Sequence, residues 1–465
     1  MTAVTHTGGR PDVIVVGGGF AGLAAATALA EQDARVVVLE GRPYLGGRAR
    51  SWLDPETGQV VDNGQHLFMG CYRETLRFLT RLGTREHLAL QPRLAMHLID
   101  RGGQVGTFSL PALPALPAPV DRLAAFLRYP GLSMTERWGL TRVARAVRRE
   151  ARRCAAGGDT DPVLERSTVA GWLDHLGQTE EAKRRLWYPV SISALNELPN
   201  RASAAMLAPV LREAFLGGAD DARLGVPSVG LSDLYAEPSA HYLRQRHCTI
   251  RLRSPVRRVV IENRRCAGVV LGTGERVNAG AVVLAAAHSD LLDLLPPVAA
   301  ADPGFAGVPA LEWSPILSVY LWFGGPVFDL PFAALVDGTW HWIFDRRGIG
   351  GREGGAQGVT LVCSAARHLV DRSIESLVRS ALDDLHAFVP ESRRATLRRS
   401  LVIKEKRATF SPACGTSALR PPPQTPYDGL YLAGDWTATG LPATIEGAVQ
   451  SGHACARLAA RGAVS

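Results

Sequence analysis

The sequence predicts an α/β fold: a discontinuous Rossmann-like domain interrupted by an inserted α+β domain. Three observations carry that expectation. A short apolar stretch at residues 12–16 runs into a glycine-rich turn and then an alanine-rich helix. A second apolar stretch near the other end, 429–433, runs into Gly434-Asp435 and a later helix. Between them, alternating stretches from 249 to 277 read as hairpin strands with no helix behind them.

The first element begins with Gly17-Gly18-Gly19-Phe20-Ala21-Gly22. Gly17 permits the tight turn, Gly19 a close backbone approach to a pyrophosphate, and Gly22 close packing of helix on strand. The N–H groups at the helix start, Phe20 and Ala21 among them, favour phosphate charge. The next strand, 35–39, ends at Glu40, placed to accept ribose hydroxyls and to repel a 2′-phosphate. FAD or NAD is therefore expected over NADP. Gly46-Gly47-Arg48 then follows Glu40-Gly41-Arg42, where an NAD domain would continue into another strand–helix unit. A second glycine pair beside a guanidinium fork suits a further pyrophosphate contact and favours FAD. At the C-terminal end, Gly434-Asp435 and the helix start at Ala443-Thr444-Ile445 supply another carboxylate and another set of free N–H groups. Gly272 and Gly274 sit in a hairpin turn with no helix after them, so no separate NADPH domain is expected.

Composition narrows the class. At 465 residues the chain exceeds a ~150-residue single domain. With 46% hydrophobic and 21% charged residues it is neither disordered nor collagen-like. The seven cysteines are scattered without a C-x-x-C, and no H-x-x-x-H pair occurs, so neither disulfides nor a metal site is expected. The 18-residue uncharged run 13–30 is broken by glycines, so no spanning helix is expected. The net charge of +8 is almost all arginine: lysine occurs only at 183, 404 and 406. That skew reflects base composition more than arginine chemistry, so clustering matters more than number. Residues 121–153 hold nine arginines against Asp121, Glu136 and Glu150, a net +6, after an apolar, proline-rich run at 110–119. A basic amphipathic segment beside an apolar loop suits an anionic membrane, set against an ordinary solvated helix face. No nucleic-acid module accompanies it.

On Gly17–Gly22 with Glu40, Gly46-Gly47-Arg48, and Gly434-Asp435 with Gly447, the chain resembles the FAD-dependent superfamily of phytoene desaturases, protoporphyrinogen oxidase and monoamine oxidase. Within it, the chain is most similar to the squalene-associated FAD-dependent desaturases of the hopanoid pathway, regarded as hydroxysqualene dehydroxylases. The residues that carry this are Val61-Asp62-Asn63-Gly64-Gln65-His66-Leu67, Gly70-Cys71-Tyr72-Arg73-Glu74-Thr75, Leu195-Asn196, Gly225-Val226-Pro227, and the run from Gly434-Asp435-Trp436-Thr437 to Glu446. The resemblance implies an FAD domain from 10–80, 236–300 and 402–465, and a substrate domain from 81–235 and 301–401; the apolar and basic pattern of 110–153 marks the segment expected to face a membrane. It also implies FAD contacts at Gly41, Arg42, Gly47, Gly64, Gln65, His66 and Val256. The implied reaction is reduction of hydroxysqualene to squalene with loss of water. The alternatives are a carotenoid desaturase or isomerase, and a non-catalytic prenyl-lipid escort on the same fold.

Dehydroxylation needs an acid for the leaving hydroxyl and a hydride from reduced flavin. His66 is the leading acid candidate, set against a role in hydrogen-bonding the flavin or backbone. Asp62 is second, set against a turn cap. Trp187, Tyr188, Trp313, Tyr320, Trp322, Trp340 and Trp342 are candidates for a hydrocarbon tunnel, two or three of them expected there. The expected partners are a long isoprenoid, an external reductant and an anionic membrane. The expected location is the cytoplasm, peripheral to the inner membrane.

Overall fold

The computed structural model describes residues 11–110, 124–218, 220–347 and 357–462. Val13–Val16 is the middle strand of a five-stranded parallel sheet in the order Thr249–Arg251, Val36–Leu39, Val13–Val16, Ala281–Leu284, Leu430–Leu432. These are short runs of valine, leucine and isoleucine. Such runs form strands that can be buried on both faces, and here helices and sheet cover them. The helix Phe20–Ala30 is buried along its whole length, between this sheet and the C-terminal helix Ile445–Gly462. One sheet thus gathers three separated chain segments, as expected for a discontinuous domain. Of the stretches expected as hairpin strands, Val256–Glu262, Arg265–Leu271 and Arg276–Asn278 form an antiparallel sheet; Thr249–Arg251 does not, because it pairs in parallel with Val36–Leu39 at the edge of the five-stranded sheet.

The inserted part is built on a seven-stranded sheet. Its order is Leu397–Phe410, Trp313–Phe323, Gln357–Cys363, Trp342–Asp345, Phe332–Leu335, Leu94–Ile99, Val105–Leu110. All neighbours are antiparallel except Phe332–Leu335 with Leu94–Ile99. The helix Ile374–Phe388 contributes Leu377, Ala381, Leu385 and Phe388 to a core with this sheet. Helices between 134 and 216, including Met134–Ala155 and Ala204–Leu216, share the other large core.

Two expectations need adjustment. A domain boundary at 402 falls inside the strand Leu397–Phe410, which pairs with Trp313–Phe323 along its length and belongs to the seven-stranded sheet as far as Phe410. The buried run 281–287 is a strand only through Leu284, because the chain there turns out of the sheet toward Trp436. The apolar run 110–119 lies, apart from Leu110, outside the described residues. Among the described residues no helix is long and apolar enough to cross a membrane.

Candidate active site

The first glycine turn is shaped by contact as much as by conformation. Gly17 has φ of +107°, and a Cβ on Gly22 would lie 2.0 Å from the Gly17 carbonyl oxygen. The helix Phe20–Ala30 starts without a side-chain cap, which leaves its first N–H groups for a ligand. The second glycine pair faces this start: a Cβ on Gly47 would lie 3.2 Å from the Gly19 Cα. Tyr235 holds the two loops together. Its ring stacks on Phe20 at 3.6 Å between centroids, and its hydroxyl sits 2.5 Å from the Gly46 carbonyl and 2.9 Å from that of Ala49.

Glu40 lies at the end of its strand as expected. Its carboxylate accepts the Gly18 N–H at 2.7 Å and the Arg42 N–H at 2.8 Å, one on each oxygen. Each oxygen keeps a lone pair for a ribose hydroxyl. The backbones of Glu40 and Arg42 bond to Arg251, Arg253 and Ser254, which brings the segment leading into Val256 beside Gly41; a Cβ there would lie 3.5 Å from Pro255.

Arg48 differs from expectation. Its guanidinium donates to Asp435 at 2.6 Å and to the Ala408 carbonyl at 2.6 Å, over the Trp313 ring at 5.8 Å. Two of its donors therefore tie the glycine loop to the C-terminal motif instead of facing a pyrophosphate freely. The Gly434–Thr439 loop is held from behind by Arg420, which is 7% exposed. Arg420 donates to the carbonyls of Asp435, Trp436 and Thr437 and to the Thr439 hydroxyl. Thr444 Oγ1 accepts the Gly447 N–H at 3.0 Å and caps the C-terminal helix. Near this loop, His288 lies 4.0 Å from the Trp313 ring, and its buried Nε2 has no partner among the described residues. Two facing glycine turns, an uncapped helix start, Glu40, Asp435 and an orphaned buried imidazole nitrogen together fit a dinucleotide.

The two acid candidates stand differently. Asp62 is 3% exposed. It accepts from the Ser51 hydroxyl at 2.6 Å and the Leu231 N–H at 3.0 Å, and its other oxygen lies 3.8 Å from Arg346. Arg346 is 2% exposed and over the Tyr320 ring; Tyr320 in turn donates to the Asp62 carbonyl at 2.7 Å. Asp62 is a buried structural anchor. His66 has Nδ1 2.9 Å from the Gly64 carbonyl, so Nδ1 carries the proton. Burial lowers its pKa from the ordinary value. The neutral ring then presents Nε2 as an acceptor, which fits a hydrogen-bonding role better than that of an acid. Gln65 donates to Tyr320 at 3.3 Å, and Gly64 sits against Ser318.

An apolar cavity of about 430 Å³ lies between the C-terminal motif and the seven-stranded sheet. Thr439, Leu441 and Thr444 border it on one side, Leu94, Met96, Phe108 and Trp342 on another, and Val210, Ala214 and Phe215 on a third. Leu67 continues the Gln65-His66 segment into its wall. Of the seven aromatic candidates only Trp342 lines it; Trp187, Tyr320, Trp322 and Trp340 are core, because their ring faces are taken by neighbouring strands and helices. Tyr72 also lines the cavity. Burial pushes its pKa above the ordinary value, so the phenol stays protonated.

Sequence reading did not single out Tyr235, Arg346, Arg420 or His288 as site residues. Tyr235 lies eight residues after the Gly225-Val226-Pro227 motif, with no signal of its own in the sequence. A buried guanidinium looks in sequence like any other of the many arginines. Asn196 proved a joint: its amide bonds Ser314, Thr409 and Ala365. Next to it, the fully buried Glu197 pairs with Arg367 at 2.6 Å.

With this geometry in view, comparison with known proteins is informative. Residues 20–460 match the family described as flavin containing amine oxidoreductase. The hydroxysqualene dehydroxylase of Rhodopseudomonas palustris is 29% identical over 456 residues, covering 96% of this chain and 97% of that one. A probable zeta-carotene desaturase of Synechococcus elongatus is 24% identical, covering 96% and 98%. An oxidoreductase structure from Methanosarcina mazei superposes with a TM-score of 0.71 at 16% identity, covering 95% of this chain and 99% of that one.

Proposed function

The chain belongs to the flavin containing amine oxidoreductase family, and we propose that it is an FAD-dependent enzyme that removes the hydroxyl of hydroxysqualene to form squalene. The observation that carries this reading is the apolar cavity seated against the cofactor motifs, in a chain similar to hydroxysqualene dehydroxylases over 96% of its length. FAD is supported over a mononucleotide because the facing glycine turns and Glu40 lie far in sequence from the Thr444 helix start, yet line one continuous framework through the Arg48–Asp435 pair.

In this reading the C–O bond breaks, the hydroxyl leaves as water with a proton, and a hydride replaces it. Bound reduced FAD supplies that hydride. The residues of the chain do the rest. Leu94, Met96, Phe108 and Trp342 bind the hydrocarbon by burial, at about 25 cal/mol per Å². Tyr72 holds a proton in an apolar wall and is the nearest fit to a hydroxyl-binding group. Gly64 sits against Ser318 of the seven-stranded sheet, and His66 donates back to the Gly64 carbonyl.

Purified protein, hydroxysqualene and a chemical reductant under anaerobic conditions should give squalene, identified by mass spectrometry. A parallel incubation with phytoene and an oxidant tests the desaturase reading. Desaturated product there, with hydroxysqualene unchanged, would overturn the proposal. Lack of the yellow flavin spectrum would favour the escort reading.

A further inference from the structure

The helix Met134–Ala155 carries a feature that the active site leaves unused. Ser133 and Glu136 form a capping box at its start, so its register is well defined. Leu140, Val143, Val147 and Glu150 form its buried face. Trp138, Arg142, Arg145, Arg149 and Arg152 recur at spacings of three and four, so they share the opposite face, and all are exposed. Arg153 extends that face by one residue. Arg142 reaches back to the carbonyls of Leu176 and Gly177 at 3.4 Å. Arg145, Arg149, Arg152 and Arg153 have no carboxylate within ion-pairing distance among the described residues. Among the described residues, exposed arginines without a carboxylate partner occur elsewhere too, Arg257, Arg258 and Arg393 among them, but here four of them share one face of one helix. At the N-terminal end of the stripe, Met134 is 55% and Trp138 50% exposed.

We propose that this arginine face docks the protein on an anionic lipid surface, with Trp138 and Met134 entering the headgroup boundary. Unpaired guanidinium groups complement lipid phosphates, and an exposed indole suits the interface between water and hydrocarbon. The position fits as well. The helix packs on Ala204–Leu216, whose Val210, Ala214 and Phe215 line the cavity. Docking therefore brings one wall of the cavity close to the bilayer. That an apolar substrate moves between the two rests on the proposed function; the docking itself does not.

Vesicle flotation tests it, with phosphatidylcholine alone and with added phosphatidylglycerol. The flavin-loaded protein should float only with the anionic vesicles, and less as salt rises. Each arginine near the surface contributes about fivefold to partitioning. The variant R145Q/R149Q/R152Q/R153Q should therefore partition at least about a hundredfold more weakly. The matching lysine variant, which keeps the charge, should float like the parent. Equal flotation of the glutamine variant, equal flotation on neutral vesicles, or tighter binding to duplex DNA than to anionic vesicles at the same salt would each overturn the proposal. Turnover of detergent-dispersed hydroxysqualene should be the same in the glutamine variant and the parent. Protein that floats but turns over no hydroxysqualene would leave docking standing and remove the proposed function.

Discussion

Glu446 and Thr75 join the two ends of the chain: a Glu446 oxygen accepts the Thr75 N–H at 2.9 Å and the Thr75 hydroxyl at 2.7 Å. Its other oxygen accepts the Glu74 N–H at 2.9 Å. The helix Arg73–Leu82 has no capping side chain of its own, so the first turn of the C-terminal helix caps it from outside. Both Glu446 and Thr444 border the cavity, which makes this a structural clamp on the cavity wall.

Replacing Glu446 with alanine strands the buried N–H and hydroxyl of Thr75 and the half-buried N–H of Glu74. The expected cost is about 1–3 kcal/mol, read by urea unfolding of the flavin-loaded protein. Glutamine keeps one acceptor oxygen and should cost less. Equal stability of parent and alanine variant would refute the clamp.

Asp62→Asn should act on stability and not on chemistry. Removing the charge leaves Arg346 buried with a weakened partner, at a cost of about 3 kcal/mol. Turnover per bound flavin should stay within severalfold. A large loss of turnover in protein of normal melting temperature would return Asp62 to the catalytic set.

His66→Gln tests the tautomer argument. A neutral His66 that donates to the Gly64 carbonyl is not the acid. Single-turnover flavin reoxidation by hydroxysqualene should then slow by less than about tenfold. A loss of about 10²–10⁴, the range for a lost general acid, would reinstate it.

Arg420→Met removes the donors that hold the carbonyls of Asp435, Trp436 and Thr437. The carbonyls of Asp435 and Trp436 are left unpaired, at about 1–3 kcal/mol each, while that of Thr437 still accepts the Thr439 N–H at 2.7 Å. The loop should loosen, and the ratio of flavin to protein absorbance after purification should fall. Lysine, a point charge that cannot reach all the acceptors at once, should rescue only in part. Flavin content equal to the parent in the methionine variant would argue against a positioning role.

Acid should destabilise the fold partly through His341. Burial pushes its pKa down from 6.5 to about 4. Its Nδ1 accepts the Ser364 N–H at 3.1 Å, a bond that a protonated Nδ1 cannot make. The unfolded chain takes up this proton near pH 6.5 and the folded chain only near 4, so stability is lost as pH falls through that window. The loss from this group is on the order of 3 kcal/mol. His341→Gln should flatten the dependence of melting temperature on pH between those values.

Local order was legible in the sequence. The strand–glycine–helix start, Glu40, the second glycine pair, the Gly434-Asp435 strand end and the hairpins from 256 to 278 fall where their patterns placed them, because each depends on near neighbours in the chain; the strand 249–251, read as part of those hairpins, went instead to the parallel sheet. Cofactor motifs near both ends of the chain were enough to predict a discontinuous domain; that strands from three segments share one sheet is seen in the structure. What only the tertiary structure decided is the company each side chain keeps. Asp62 became an anchor because a strand of the distant sheet brings Arg346 beneath it. Arg48 turned to Asp435 because the two motifs meet. Trp340 and Tyr320 became core while Trp342 faced the cavity, because Trp340 lies in the turn before the strand Trp342–Asp345 and the packing around each ring is set by elements distant in the chain. The basic segment shows both sides of this. Its net charge could be counted from the chain, but that its unpaired arginines form one exposed stripe, with a buried face seated on the cavity's wall, depended on the helix being packed in place.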